Sequence, residues 1–192
     1  GITWTGELTP TIGVEQTGNV LTLQNQSYTD EALNPGPGAT STTAYDVDTI
    51  RPTITSFTSD QTATIDYYKE GDQIVITANT SENIQQNDEI TVTLDTGDTV
   101  TLTASSAGAE MTGTYTVSSG DNSTGLTINS FTIVDVKDTA GNDMDSTDGD
   151  APLSMDIFAG KTIVIDTTLP TVLDVSIVSS NNTNTLATVS YT

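Results

Sequence analysis

Val47-Asp48-Thr49-Ile50-Arg51-Pro52-Thr53-Ile54 returns later in the chain as Ile165-Asp166-Thr167-Thr168-Leu169-Pro170-Thr171-Val172. A match of this length marks an internal repeat, and it governs how every other segment is read. The correspondence extends upstream of both copies. Tyr28-Thr29-Asp30-Glu31-Ala32-Leu33-Asn34-Pro35 answers to Val136-Lys137-Asp138-Thr139-Ala140-Gly141-Asn142-Asp143, and Leu21-Thr22-Leu23 to Leu126-Thr127-Ile128. The chain therefore reads as the tail of one repeat over residues 1–47, one whole repeat over 48–165 and the head of a third over 166–192.

Inside the whole repeat the apolar residues alternate with polar ones at period two, the mark of half-buried strands. Ile74 and Ile76 stand two apart between Gln73 and Thr77, and Ile90, Val92 and Leu94 alternate with Thr91 and Thr93. Thr96-Gly97-Asp98 then turns the chain into Val100 and Leu102, a hairpin signal. Tyr115 and Val117, then Phe131, Ile133 and Val136, then Ile163 and Ile165 supply the later strands. No stretch carries a 3.6-residue period. Short strands at this regular spacing predict an all-β sandwich.

Composition agrees and removes several functions. Hydrophobic residues make up 34% of the chain and aromatics 5%, with Thr and Ser throughout, which suits half-exposed strands and disfavours helices. Four basic residues, Arg51, Lys69, Lys137 and Lys161, face 26 acidic ones, and the net charge of -22 repels phosphate backbones and anionic lipid heads. Nucleic acid and direct membrane insertion are excluded as expectations, and a cation-rich outside medium fits the charge. With no Cys and no His, disulfides, thiolate sites, zinc sites and most nucleophile–base pairs are ruled out. The carboxylate pairs Asp46/Asp48, Asp143/Asp145 and Asp148/Asp150 lack the aromatic platforms of a glycosidase cleft, Trp4 being the only tryptophan, so no enzyme is expected. Phe57, Tyr115, Phe131 and Trp4 read as core residues. No apolar run is long enough to span a membrane, and the chain reads as an excised or processed segment whose export signal lies elsewhere.

Pro52 and Pro170 stand where a repeat begins, at positions where a missing N–H costs little and a fixed φ stiffens the linker. The Trp4 strand, Leu8-Thr9-Pro10-Thr11-Ile12-Gly13-Val14-Glu15, Ser27-Tyr28-Thr29-Asp30, the two Asp-Thr-x-x-Pro-Thr stretches at 48–53 and 166–171, Tyr68-x-Glu70-Gly71-Asp72-x-Ile74-x-Ile76 and Asp138-Thr139-Ala140-Gly141-Asn142 together resemble the bacterial and archaeal Ig-like tandem repeats of giant adhesins and surface-layer proteins. The resemblance runs through essentially the whole chain. It implies immunoglobulin-like β-sandwiches in tandem, an extracellular or cell-surface location, and a structural role. The first copy departs from the pattern, because Glu31-Ala32-Leu33 stands where the second has Thr139-Ala140-Gly141, and residues 143–152 form an acidic insertion absent from the first.

The ligand chemistry points to Ca²⁺, which takes oxygen donors from Asp, Asn, carbonyls and water. Asp143-Met144-Asp145-Ser146-Thr147-Asp148-Gly149-Asp150 misplaces the Gly and the terminal Glu of an EF-hand loop, and that motif is rejected. A site at a repeat junction follows instead from strand alternation. Asp138 and Asn142, on the last loop, are expected beside linker Asp48, and Glu70 and Asp72, on the first turn, beside linker Asp166. Like charges gathered this closely are costly unless a cation bridges them. The competing reading makes these residues ordinary Asx turns.

Two functions are expected from different classes. The first is a non-enzymatic spacer in an adhesin stalk or surface layer, rigidified by Ca²⁺ at its junctions, with neighbouring repeats as partners. The second is a self-assembling filament or lattice subunit in which the head at 166–192, carrying Val172, Val175, Ile177 and Leu186 to Tyr191, donates strands to the tail at 1–47 of another copy.

Overall fold

A computed structural model describes residues 5–144 and 161–173. Trp4, the acidic positions Asp145, Asp148 and Asp150, and the expected strands at 174–192 lie outside the described residues. Every regular element described is a strand.

The tail contributes β1 (Glu15–Asn19), β2 (Thr22–Leu23), β3 (Thr40–Ser41) and β4 (Tyr45–Asp48). β1 pairs antiparallel with β4, and β2 with β3. The whole repeat holds β5 (Ile54–Ser59), β6 (Ile65–Tyr68), β7 (Gln73–Ile84), β8 (Glu89–Leu94), β9 (Thr99–Thr103), β10 (Gly108–Thr116), β11 (Asn122–Ser123), β12 (Ile128–Asp135) and β13 (Thr162–Asp166). One sheet runs β12-β8-β9-β10-β7-β5 and the other β11-β13-β6. The first strand changes sheets: β5 lies antiparallel on β7, and after a short crossover β6 runs parallel to β13. Gln61 ties that crossover to the last strand, since its Nε2 donates to the Thr162 carbonyl (3.1 Å) while Lys161 Nζ donates to the Gln61 carbonyl (2.6 Å).

The expected alternation is the burial pattern. Ile74, Ile76 and Ala78 of β7, Ile90, Val92 and Leu94 of β8, and Val100 and Leu102 of β9 all point inward, as does Tyr115 of β10. Val117 and Val136 are buried one residue past the ends of β10 and β12. Phe57 and Phe131 meet edge to face across the core at 5.8 Å. Gly97, at φ 94, closes the β8–β9 hairpin, and Leu94 N–H donates to the Asp98 carbonyl at 2.8 Å.

The large sheet curls over itself where β10 crosses β9. Their registered pairing is reduced to Thr112 opposite Thr103. Gly113 is what permits the crossing: a Cβ there would run into the Thr101 carbonyl oxygen and lie 2.7 Å from Leu102 Cδ2.

The two matching stretches of sequence also pair alike. β1 and β4 pair as Glu15↔Asp48 and Gln16↔Val47, and β11 and β13 pair as Asn122↔Asp166 and Ser123↔Ile165. In both copies the strand is preceded by a glycine at positive φ, Gly13 or Gly120. In both, the linker threonine locks onto the loop before that strand. Thr49 Oγ1 accepts from Val14 N–H (2.9 Å) and donates to the Thr11 carbonyl (2.7 Å); Thr167 Oγ1 accepts from Gly120 N–H (3.1 Å) and donates to the Asp121 carbonyl (3.0 Å).

Buried Asp121 accepts from the Tyr115 hydroxyl and from Ser118 N–H, each at 2.6 Å, and faces Asp98. Burial, then the Asp121 charge and a hydrogen bond to it, push the Asp98 carboxyl above the usual aspartate range. The folded state therefore holds the Asp98 proton more tightly than the unfolded chain does, so this stabilisation grows as pH falls toward the aspartate range and is lost as pH rises through the raised value. Asp98→Asn supplies a permanent N–H donor toward Asp121. It is expected to raise the melting temperature at neutral pH and flatten its rise on mild acidification, measured by melts across the pH range; a variant less stable at neutral pH would refute the role given to Asp98.

Candidate functional site

The loop after β12 is built around one carboxylate. Asp88, itself buried, accepts from Gln85 N–H (3.0 Å) and Lys137 N–H (2.9 Å), fixing where the loop starts. Gln85 Nε2 donates to the Asp138 carbonyl at 2.8 Å. Asp138 is wholly buried; its Oδ1 accepts from Gly141 N–H (2.6 Å) and Asn142 N–H (2.8 Å), and its Oδ2 from Asn142 Nδ2 (2.7 Å). Gly141 takes φ 97, a value that suits glycine.

Asn142 Nδ2 also donates to the Asp48 carbonyl at 3.1 Å, so the loop and the linker meet where strand alternation placed them. A third carboxylate joins them that the sequence reading did not include. Glu82, near the end of β7, is half-buried, and one oxygen from each of Asp48, Glu82 and Asp138 lies within 4.8 Å of the others. Glu82 Oε1 is buried and has no hydrogen-bond partner. Burial first, then the charges of Asp138, Asp48 and Glu15, push the Glu82 carboxyl above the usual glutamate range. Three of the four basic side chains are committed elsewhere: Lys69 bonds Asp72, Lys137 bonds Asp143, and Lys161 bonds the crossover.

The donor set fits a hard divalent cation. Oxygens on a shell of 2.3–2.6 Å radius lie at most about 5 Å apart, and three carboxylates meet the charge and donor type that Ca²⁺ selects. The turn alone does not require an ion. Asp30 repeats the arrangement, its Oδ1 accepting from Ala32 and Asn34 N–H and its Oδ2 from Asn34 Nδ2, all at 2.9 Å. The Asn34 side chain holds the Asp30 carboxyl below the usual range. Leu33 sits at φ 66 where the other copy has Gly141, so the sequence departure at 31–33 leaves the turn intact at some backbone strain. What distinguishes the Asp138 site is the buried, partnerless oxygen of Glu82.

At the other end of the repeat, Asp72 and Asp166 line one shallow hollow with Tyr67, Tyr68 and Lys69. Lys69 fills the electrostatic need there, donating from its N–H (2.9 Å) and its Nζ (2.7 Å) to the Asp72 carboxylate, which it holds below the usual range. Glu70 points to solvent and is not part of the hollow. Asp166 Oδ1 accepts Thr168 N–H at 2.9 Å, as Asp48 Oδ1 accepts Ile50 N–H at 3.0 Å.

Residues 1–47 match the family model of a bacterial Ig-like domain. No curated protein and no solved structure matches the chain. The matched stretch runs from β1 into β4, and the fold is an all-β, Ig-like sandwich. Bacterial Ig-like domains are typically non-catalytic and commonly occur in extracellular proteins. Among the described residues, no helix is long and apolar enough to cross a membrane.

Proposed function

We propose that this chain is a non-enzymatic spacer of a tandem Ig-like surface protein, an adhesin stalk or a surface-layer unit, stiffened at the repeat junction by Ca²⁺ held by Asp48, Glu82 and Asp138. The observation that carries the cation is the buried, partnerless Oε1 of Glu82, a side chain whose carboxylate clusters with those of Asp48 and Asp138. The linker supports the spacer role. Thr49 is bonded into the loop of the tail and Asp48 to Asn142 of the whole repeat, with Pro52 three residues after Thr49, so the joint is pinned on both sides instead of tethered loosely. Asn142 orients the site through its amide, and Asp72 and Asp166 mark a second junction at which Lys69 supplies the positive charge.

Titrating Ca²⁺ into the chelator-treated chain during thermal melts tests this. At a concentration about a hundredfold over Kd, binding adds roughly 2.7 kcal/mol, which for a chain of this size raises Tm by about 5–10 °C. A shift no greater than that from monovalent salt of equal ionic strength would leave Asp48 and Asp138 as turn residues in a spacer held by packing.

A further inference from the structure

Asp121 joins two structures through one residue. Its buried carboxylate anchors the turn after β10, accepting from the Tyr115 hydroxyl and from Ser118 N–H at 2.6 Å each. Its main chain belongs to the seat of the linker after β13. Thr167 Oγ1 donates to the Asp121 carbonyl (3.0 Å) and accepts from Gly120 N–H (3.1 Å), while Asn122 Oδ1 accepts from Thr167 N–H (3.3 Å) and from the Thr168 hydroxyl (3.4 Å). A displacement of the Asp121 side chain is therefore passed directly to residues 120–122 and the linker they hold.

Asp98 faces that side chain from the β8–β9 turn, and the turn fixes it there, because Gly97 at φ 94 closes the hairpin and the Asp98 carbonyl accepts Leu94 N–H at 2.8 Å. Besides each other, the titratable group beside the two carboxyls is Tyr115 of β10, whose hydroxyl is pushed above its usual range by burial and by its bond to Asp121 and so remains a donor. Asp95 of the same turn accepts instead from Ser123 Oγ (2.6 Å) and Thr127 N–H (3.1 Å), and Asp166 of β13 from Thr168 N–H. The basic side chains lie elsewhere: Lys69 on Asp72, Lys137 on Asp143, Lys161 on the Gln61 carbonyl, and Arg51 in a hollow with Ile50 and Asn142. Only a proton on Asp98 turns the repulsion of the two carboxylates into a hydrogen bond. The earlier linker is seated without this pair. Val14 follows Gly13 where Asp121 follows Gly120, and Thr49 Oγ1 is held by Val14 N–H and the Thr11 carbonyl.

We infer that Asp98 and Asp121 form a proton-operated latch on the linker at 166–168. With Asp98 protonated, its hydroxyl donates to Asp121 and the seat holds Thr167; with both ionised, the two repel and Thr167 is held less firmly. The direction follows from burial, which raises the Asp98 carboxyl: the latch is closed in mild acid and loosens as pH rises through that raised value.

Amide exchange of the full chain, followed residue by residue in chelator so that no cation contributes, reads the latch where it acts. Protection at Gly120 and Thr167, corrected for the intrinsic rate at each pH, is expected to fall several-fold between the aspartate range and neutrality. Asp98→Asn donates at every pH and should keep that protection throughout, leaving Val14 and Thr49 as in the parent. Thr167→Val separates the latch from stability: its melting temperature should still rise on mild acidification, since Asp98 and Asp121 remain, while Gly120 loses its pH-dependent protection. Parent protection that is flat with pH, a fall of equal size in Asp98→Asn, or a change in Asp98→Asn that extends equally to Val14 and Thr49 overturns the inference.

Discussion

Gly113→Val is expected to destabilise the chain by about 3–4 kcal/mol, a large share of an ordinary domain's stability. The reason is the corner where β10 crosses β9. A Cβ at 113 meets the Thr101 carbonyl oxygen, which is backbone and cannot swing aside, and Leu102 Cδ2, which belongs to a side chain with no exposure to solvent. Relief would require β9 and β10 to separate, opening the core between Leu102 and Met111. Gly125→Ala is the comparison, since its Cβ would meet only Thr162 Cγ2 at 3.8 Å, an ordinary contact, and should change stability by no more than about 0.5 kcal/mol. Urea unfolding of both variants measures the difference; a Gly113→Val chain within about 1 kcal/mol of the parent would mean that the two strands do not cross as closely as described.

Much of this architecture is written in local pattern. Ile90, Val92 and Leu94 alternate with threonines so regularly that β8 and its inward face follow from the side-chain period alone. The Asp-Thr-x-x-Pro-Thr linkers and the Asp138 turn were readable because the repeat displays each twice, and the second copy confirms which features hold the backbone. The switch of the first strand between sheets was not readable. Ile65-Asp66-Tyr67-Tyr68 leaves Ile65 and Tyr67 exposed and so has no buried apolar stripe to announce it; its partner β13 lies far along the chain. Glu82 was missed for a related reason. It reaches Asp48 and Asp138 because β7 is twelve residues long, and past Ala78 that strand continues through Thr80, Ser81 and Asn83, where apolar alternation fades. Lys69 is the opposite case: the sequence reading places Glu70, Asp72 and Asp166 at the second junction, and the cation that neutralises Asp72 stands in the same turn.

The site itself separates by two substitutions with opposite effects. In chelator, Asp138→Ala should cost about 3–4 kcal/mol, because Gly141 N–H, Asn142 N–H and Asn142 Nδ2 lose the acceptor that closes the loop, in a place water reaches poorly. Glu82→Gln should do the reverse. Glu82 is pushed above the usual glutamate range, so folding favours its protonated form; that contribution is present below the unfolded value and lost as pH rises through the folded one, where the charged carboxylate is repelled by Asp138 and Asp48. The neutral amide removes that repulsion, and melting in chelator at neutral pH should move up. In Ca²⁺ the order inverts. The parent gains its cation, whereas Glu82→Gln offers one carboxylate fewer and should respond to Ca²⁺ no more than to monovalent salt of equal ionic strength. A Glu82→Gln chain that still gains the parent's full shift would place the ion elsewhere. One that is destabilised in chelator would mean that Glu82 Oε1 holds the fold through a contact of its own, and the raised carboxyl would then be a cost the native state bears without a cation.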